Sequence, residues 1–242
     1  MTKTSRTWAV VPVKQFATAK SRLRSVLGPD ERAELARLMF EDVLDALAPC
    51  RDFLAGVSAV TSDREVAEVA RRHDARIILL SGDDGINPAI KGALQAIDTS
   101  LHDGLMVVPS DIPQVTRRSF EQAAAAIAVP RSLAIAAAAE DGGTNLFACR
   151  PADVVTPRFG RRSFDQHYSA ATQTGIAVRT LHLPELSLDI DRPKDLWSLL
   201  AHESDTRTHA FLTRKRIAER LERYLHPSSA RLTNGMVKEV AS

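Results

Sequence analysis

What most constrains this chain is an alternation. Short apolar runs, the first with a β-branched bias, alternate with stretches whose apolar positions recur every three or four residues. The runs are Trp8 to Val13, Gly56 to Thr61, Arg76 to Leu80, Leu105 to Pro109 and Leu133 to Ala138. Between them, Leu35, Leu38, Met39, Val43, Leu44 and Leu47 mark a helix over Pro29 to Leu47, which the Pro29-Asp30 pair suits as a start. Ser62-Asp-Arg-Glu65 has capping-box form before an amphipathic segment to His73. Pro88 to Ile97 reads as helical, as does Arg117 to Ile127 after a Thr116 cap. Parallel strands need crossover connections, so this order predicts an α/β fold with a mostly parallel central sheet flanked by helices. Ligands of such sheets bind beyond the carboxyl ends of the strands. The positions to inspect are therefore Lys14 onward, Ser81 to Asn87, Ser110-Asp111 and Asp189-Ile-Asp191.

Composition removes several classes. The 242 residues suffice for one to two domains at about 150 residues each. Lys+Arg 32 against Asp+Glu 30 leaves +2, too little for an overall field that would recruit nucleic acid or a membrane surface. Cys50 and Cys149 are too few for a disulfide scaffold, lack zinc-site spacing, and have no neighbouring His or Lys to activate a thiolate. No stretch approaches the ~20 apolar residues of a membrane span, and Trp8 to Val13 is shorter than a signal-peptide core. A cytoplasmic protein is expected. Charge is uneven, however. Residues 205–242 hold eight Lys/Arg and four Asp/Glu, so +4 sits there and −2 (24 minus 26) on residues 1–204. Within that stretch Thr208 to Leu225 reads as one helix, and Pro227 onward as loose.

Walker A, G-x-G-x-x-G, H-E-x-x-H and G-x-S-x-G sequences are all absent. Phosphate would have to be held by other means. Lys14, Lys20, Arg22 and Arg24 follow the first strand and could embrace a polyphosphate, although a solvated basic loop would read the same way. Asp111, between Pro109 and Pro113, sits where a rigid backbone would aim a carboxylate off the sheet's edge. In Asp189-Ile-Asp191, extended geometry would put two carboxylates on one face, and three converging aspartates would suit magnesium. Alternatively Asp191 caps a helix starting at Arg192-Pro193. Asp141-Gly-Gly-Thr144 reads as a hairpin turn, leaving the Thr144-Asn145 pair unexplained. Ser163 and Gln166 have capping-box spacing, and the same helix start, with Arg161 and Arg162, could bind an anion through free backbone N–H groups. Gly85-Ile-Asn87 could present an amide to a base or ribose edge, or be a plain turn. The seven histidines show no ligand spacing and read as surface or satisfied core residues.

The ordered set Pro12-Val-Lys14, Ala19-Lys-Ser-Arg-Leu23, Gly85-Ile-Asn-Pro-Ala89, Pro109-Ser-Asp-Ile-Pro113, Gly142-Gly-Thr144, Arg158-Phe-Gly160 with Ser163, and Asp189-Ile-Asp-Arg-Pro193 resembles the phospho-acid guanylyltransferases of coenzyme F-420 biosynthesis. The resemblance spans roughly residues 8 to 200. It implies a glycosyltransferase-A-like nucleotidyltransferase domain over 1–204, followed by a basic helical C-terminal extension over 205–242. It further implies GTP as donor, magnesium as cofactor, and an acceptor among 2-phospho-L-lactate, phosphoenolpyruvate and 3-phospho-D-glycerate. On the resemblance, Asp111, Asp189 and Asp191 bind metal, while Thr144, Gly160 and Ser163 bind the acceptor. Lys14, Lys20, Arg22, Gly85 and Asn87 lie on the nucleotide side, with Lys14, Lys20 and Asp111 carrying the catalytic work. Ile86 and Pro88 depart from the family's usual residues, and the glycine-rich A-G-x-G-x-R loop of the wider nucleotidyltransferases is missing. The rival readings are another nucleotidyltransferase or glycosyltransferase of the same fold, and a non-catalytic nucleotide-binding protein. No nucleic-acid or membrane partner is expected, and self-association as a homodimer is compatible with an open-sheet enzyme of this size.

Overall fold

The structure is a computed structural model that describes residues 7–97 and 103–225. Seven strands form one sheet: β1 (Thr7–Pro12), β2 (Leu54–Thr61), β3 (Arg76–Leu79), β4 (Gly104–Val107), β5 (Ser132–Ala137), β6 (Thr144–Arg150) and β7 (Ala177–Thr180), in the spatial order β3-β2-β1-β4-β6-β5-β7. Only β6 runs against its neighbours. It pairs antiparallel with β4 and β5, while the other adjacent pairs are parallel. The expected mostly parallel α/β sheet is therefore present, with one reversed strand where the Asp141 to Thr144 turn folds β6 back on β5.

Side-chain alternation along β1 sorts the two cores. Ala9, Val11 and Val13 face α1 (Pro29–Leu47), α2 (Arg64–Arg72) and α4 (Arg117–Ala126) on one side. Trp8 and Val10 face α3 (Ile86–Ala96) and α5 (Ser163–Gln173) on the other. Register between β1 and β2 is fixed sterically. A Cβ on Gly56 would meet the Trp8 ring at 2.7 Å, and Trp8 Nε1 donates to Ser58 Oγ at 2.9 Å. Any larger residue at position 56 would push the indole off the sheet.

Some local expectations shift. The first-turn donors of α2 go to Asp63, whose Oδ1 accepts from Glu65 N (2.7 Å) and Val66 N (3.1 Å), so Asp63 and not Ser62 is the cap. Helix α3 starts at Ile86, two residues before Pro88, because its proline sits in the first turn where no N–H is needed. The helix expected over Thr208 to Leu225 is two, α8 (Arg207–Arg214) and α9 (Ile217–Leu225), broken at Arg216 with φ 52°. The short α6 (Pro184–Ser187) and α7 (Pro193–Leu200) flank Asp189 to Asp191, which thus follow a helix and not a strand. The loose stretch expected from Pro227, along with His102 and His226, lies outside the described residues.

Candidate active site

The parallel strands β1, β2, β3 and β4 end on one edge of the sheet, and there a cavity of about 430 Å³ opens. It is lined by Lys14, Lys20 and Arg22 from the β1 connection, Ser62 after β2, Gly82, Asp83 and Gly85 after β3, and Ser110 and Asp111 after β4. Asp191 closes it from the α6–α7 segment. Of the sequence-predicted residues, the cavity gathers Lys14, Lys20, Arg22, Gly85, Asp111 and Asp191. It does not reach Asn87, Thr144, Gly160, Ser163 or Asp189.

The centre of the cationic wall is Lys20. After β1 the chain makes two single 3-10 turns, Phe16–Thr18 and Ser21–Leu23, with Lys20 between them in the left-handed region (φ 54°). Its Nζ donates to Asp111 Oδ2 at 2.6 Å and to Asp191 Oδ1 at 2.9 Å, and Arg22 Nη1 reaches Asp191 Oδ2 at 3.0 Å. Burial pushes the Lys20 ammonium toward neutrality, but the charges and hydrogen bonds of Asp111 and Asp191 outweigh it and hold the pKa above the ordinary lysine value. Asp191 shows the converse. Burial alone would raise its pKa, yet Lys20 and Arg22 hold it below the usual carboxylate value. Asp191 therefore pairs with the cationic loop and does not cap α7, where Asp195 Oδ2 accepts from Asp191 N (2.9 Å) and Arg192 N (2.6 Å).

Asp189 lies near the same charges but is tied to β6. Its Oδ1 accepts from Asn145 Nδ2 at 3.1 Å, and burial, with the nearby charges of Asp111 and Asp191, raises its pKa despite that hydrogen bond. Ile190, fully buried between the two aspartates, donates its N–H to Asp111 O at 3.0 Å, tying the segment to the end of β4. Among the described residues, no three Asp, Glu, His or Cys side chains surround a common metal position. The donor set nevertheless suits a hard cation. Asp111 and Asp191 already grip one, the Lys20 ammonium.

Thr144, Gly160 and Ser163 lie outside the cavity lining. Thr144 opens β6, and its Oγ1 is 2.9 Å from Ser163 Oγ and 3.1 Å from His167 Nδ1. His167 Nε2 accepts from Arg158 N at 2.7 Å, so the ring is neutral with its proton on Nδ1, directed at Thr144. Burial first, then the Arg158 charge, lowers its pKa to about 4. The capping box expected at Ser163 does not form. The residue is fully buried with its hydroxyl on Thr144, and Arg162, at φ 55°, stands in the cap position. Three of the backbone donors there are already used, since the Arg162, Ser163 and Phe164 N–H groups donate to the Asp141, Gly160 and Gly142 carbonyls. Gly142, at φ 67°, lies 3.5 Å from Arg162 Cα at its Cβ position, which glycine alone accommodates without strain.

Asn87 joins the two sides. Its Nδ2 donates to Phe159 O (3.0 Å) and its Oδ1 accepts from Phe159 N (2.8 Å), so the amide secures the Arg158 to Gly160 loop from the first turn of α3. Sequence reasoning assigned no role to Asn145 or His167. The unexplained Thr144-Asn145 pair was the one visible signal for Asn145. His167 is a satisfied core histidine, one of the two readings expected, and it links Thr144 to the Arg158 loop. Both cysteines are buried and free, and burial pushes their thiols up, to about 11 for Cys50 and about 12 for Cys149.

Comparison with known proteins decides the class. The family described as "Guanylyl transferase CofC like" matches residues 7–232. The chain belongs to that family. It is 40% identical to a phosphoenolpyruvate guanylyltransferase of Sphaerobacter thermophilus over 81% of this chain and 93% of the relative. It is 31% identical to a 2-phospho-L-lactate guanylyltransferase of Methanothermobacter thermautotrophicus, over 87% and 92%. A 3-phospho-D-glycerate guanylyltransferase of Phenylobacterium zucineum is 32% identical, over 77% and 86%. Among solved structures, one described as a nucleotide-diphospho-sugar transferase from Desulfovibrio desulfuricans superposes with a TM-score of 0.74 at 22% identity, covering 91% of this chain and 98% of that one. That likeness supports the glycosyltransferase-A-like nucleotidyltransferase fold and nothing finer. The chain is a guanylyltransferase of the CofC-like family, and the family match runs past residue 204 into the basic helices. No helix among the described residues is long and apolar enough to cross a membrane.

Proposed function

We propose that this guanylyltransferase transfers GMP from GTP to a phosphorylated three-carbon acid and releases pyrophosphate, a step in coenzyme F-420 biosynthesis. The observation that carries the reading is the Lys20 ammonium held between Asp111 and Asp191 at the mouth of a strand-end cavity. There a cationic loop and a cation-binding carboxylate pair can meet a triphosphate together. Lys14, Lys20 and Arg22 would take the phosphate charge, and the β3–α3 loop at Gly85 the nucleoside side.

An acceptor phosphate oxygen attacks the α-phosphorus in line, the α–β bridging bond breaks, and pyrophosphate leaves with that electron pair. A phosphate dianion is already nucleophilic near neutral pH, so no general base is required. What the protein supplies is alignment and charge stabilisation. Asp111, Asp189 and Asp191 would hold magnesium, which when bound supplies Lewis-acid screening of the reacting phosphates. Thr144, Gly160 and Ser163 frame the acceptor side, where Thr144 and Ser163, both buried and bonded to each other, set the shape of the wall.

Pyrophosphate release tests the reading. GTP with magnesium is offered with phosphoenolpyruvate, 2-phospho-L-lactate and 3-phospho-D-glycerate in turn, with ATP and CTP as donor controls. Release that needs GTP and one acid supports it and names the acceptor. Silence with all three acids from a folded, GTP-binding sample refutes the acceptor class.

A further inference from the structure

Helices α8 and α9 share one apolar cluster with the two polar segments of the site. Leu23 and Val26 come from the turn that carries Lys20 and Arg22, and Ile190 from between Asp189 and Asp191. They are buried together with Leu212 of α8 and Ile217 and Leu221 of α9. Leu23 and Ile190 are each 0% exposed and each adjoin a charged residue that faces the cavity or its aspartates. Apolar packing behind a short polar loop is what fixes the loop's charged tips, since the loop's own hydrogen bonds are few.

A polar clasp reinforces the packing. Arg220 of α9 reaches across to the Glu31 carboxylate at 2.7 Å and to Val26 O at 3.4 Å, and Glu31 also accepts from Gly28 N at 3.0 Å. The hydrogen bond from Arg220 holds the Glu31 carboxyl below its ordinary pKa. This clasp closes the bend between the cationic turn and α1. At the other end of the helix pair, the buried Asp42 of α1 accepts from Arg207 N (2.8 Å), Thr208 N (3.0 Å) and Thr208 Oγ1 (2.5 Å), which seats α8. Arg207, Arg216 and Arg220 pair with Asp45, Glu219 and Glu31, so these three cations of the extension are matched inside the chain.

We infer that the C-terminal helix pair is a positioning element for GTP: it holds the Lys20–Arg22 turn and the Asp189–Asp191 segment in place, with Arg220 as the positioning residue. The inference rests on the proposed GTP-dependent reaction for its functional consequence. The acceptor-side residues Thr144, Gly160 and Ser163 lie on elements outside this cluster, so they should not feel its loosening.

The test is Arg220→Ala, with Arg220→Lys for comparison, on the full chain. Hydrogen–deuterium exchange of residues 18–28 and the affinity for a fluorescent GTP analogue are read together, followed by steady-state kinetics. Expected for Arg220→Ala are faster exchange in that segment, about five-fold weaker nucleotide binding, a matching rise in KM for GTP, and an acceptor KM changed less than two-fold. Arg220→Lys should recover most of the binding. Unchanged exchange, or unchanged nucleotide affinity despite faster exchange, overturns the inference. Equal loss toward both substrates also overturns it, because that is what general destabilisation produces. Should Arg220→Ala fold poorly, Glu31→Gln, which keeps the volume and removes the charge that Arg220 grips, replaces it under the same criteria. A wild-type chain that binds the GTP analogue but turns over none of the three acids would sink the acceptor assignment, leaving exchange and affinity to decide the positioning role.

Discussion

The two sides of the candidate site solve the same problem differently. On the side proposed for the nucleotide, the loops after β1, β3 and β4 present charges to an open cavity, where Lys20 pairs with Asp111 and Asp191 and Arg22 with Asp191. On the side proposed for the acceptor, Thr144, Ser163 and His167 are buried in a chain of hydrogen bonds, with the exposed Gly160 loop hung from its end. Asp111 and Asp191, part-exposed at the cavity edge, can exchange a partner for another cation or for water, while the buried Lys20 ammonium must keep one. A buried neutral chain cannot exchange partners, because each orphaned donor or acceptor costs about 1–3 kcal/mol. On the proposed function, the first side would rearrange around polyphosphate and the second would keep a fixed shape. Substitutions on the first should cut turnover with little effect on stability, and substitutions on the second should show the reverse balance.

The largest effect is expected at Asp111. Asp111→Asn keeps the volume and removes the charge, so turnover should fall on the order of 100-fold or more, while the melting temperature moves little. Pyrophosphate release and a thermal melt on the same sample check both halves. A rate near wild type would remove Asp111 from the charge-stabilising set and leave the comparison without its main support. Lys20→Met comes next. With its shared cation gone, the Asp111–Asp191 pair should bind magnesium with a larger thermal upshift than wild type shows, and turnover should fall roughly ten- to hundred-fold. An upshift equal to wild type would mean that Lys20 does not stand where a metal would.

These two residues also mark how far the sequence could be read. The order of the first five strands and the helices between them followed from apolar periodicity, because tertiary burial and local period agree there, whereas the short, half-exposed β7 gave no such signal. Asp111 and the Asp189-Ile-Asp191 alternation were visible as carboxylates at a strand end and on an extended segment. What was not visible were partners far apart in the chain. Asn145 meets Asp189 across 44 residues, and His167 meets Thr144 across 23. Local spacing even misled where tertiary bonds compete. Ser163 and Gln166 are spaced as a capping box, yet the Ser163 hydroxyl is taken by Thr144. Ser62 and Asp63 are adjacent residues of similar capping chemistry, and it is Asp63 whose carboxylate meets the first-turn N–H groups. The break at Arg216 has no proline or glycine to announce it.

The buried side makes a pH prediction. His167 titrates near 4 in the folded protein against about 6.5 when unfolded, so the unfolded chain binds the extra proton between those values. Its contribution to stability is complete above about pH 6.5 and is lost as pH falls toward 4, on the order of 2–3 kcal/mol across that window. Urea midpoints measured from pH 7 to 4.5 should fall more steeply for wild type than for His167→Gln, which has no proton to gain. Parallel curves would mean that the acid sensitivity comes from elsewhere and that the buried chain is not held by a neutral ring.

The smallest effect, and the finest test of the comparison, is Ser163→Ala. The hydroxyl is fully buried, so its loss removes one hydrogen bond from Thr144 and leaves a small void, a cost of about 1 kcal/mol. Thr144 Oγ1 keeps its bond from His167, and the wall keeps most of its form. Acceptor KM should rise a few-fold while KM for GTP stays within two-fold, since the nucleotide cavity shares no lining residue with this chain. Equal change in both constants would mean that the two sides of the site are not separable, and that Ser163 acts only through the general stability of α5. A rise in acceptor KM with no loss of stability would place the Ser163 hydroxyl on the acceptor itself, which requires the α5 start to open when substrate binds.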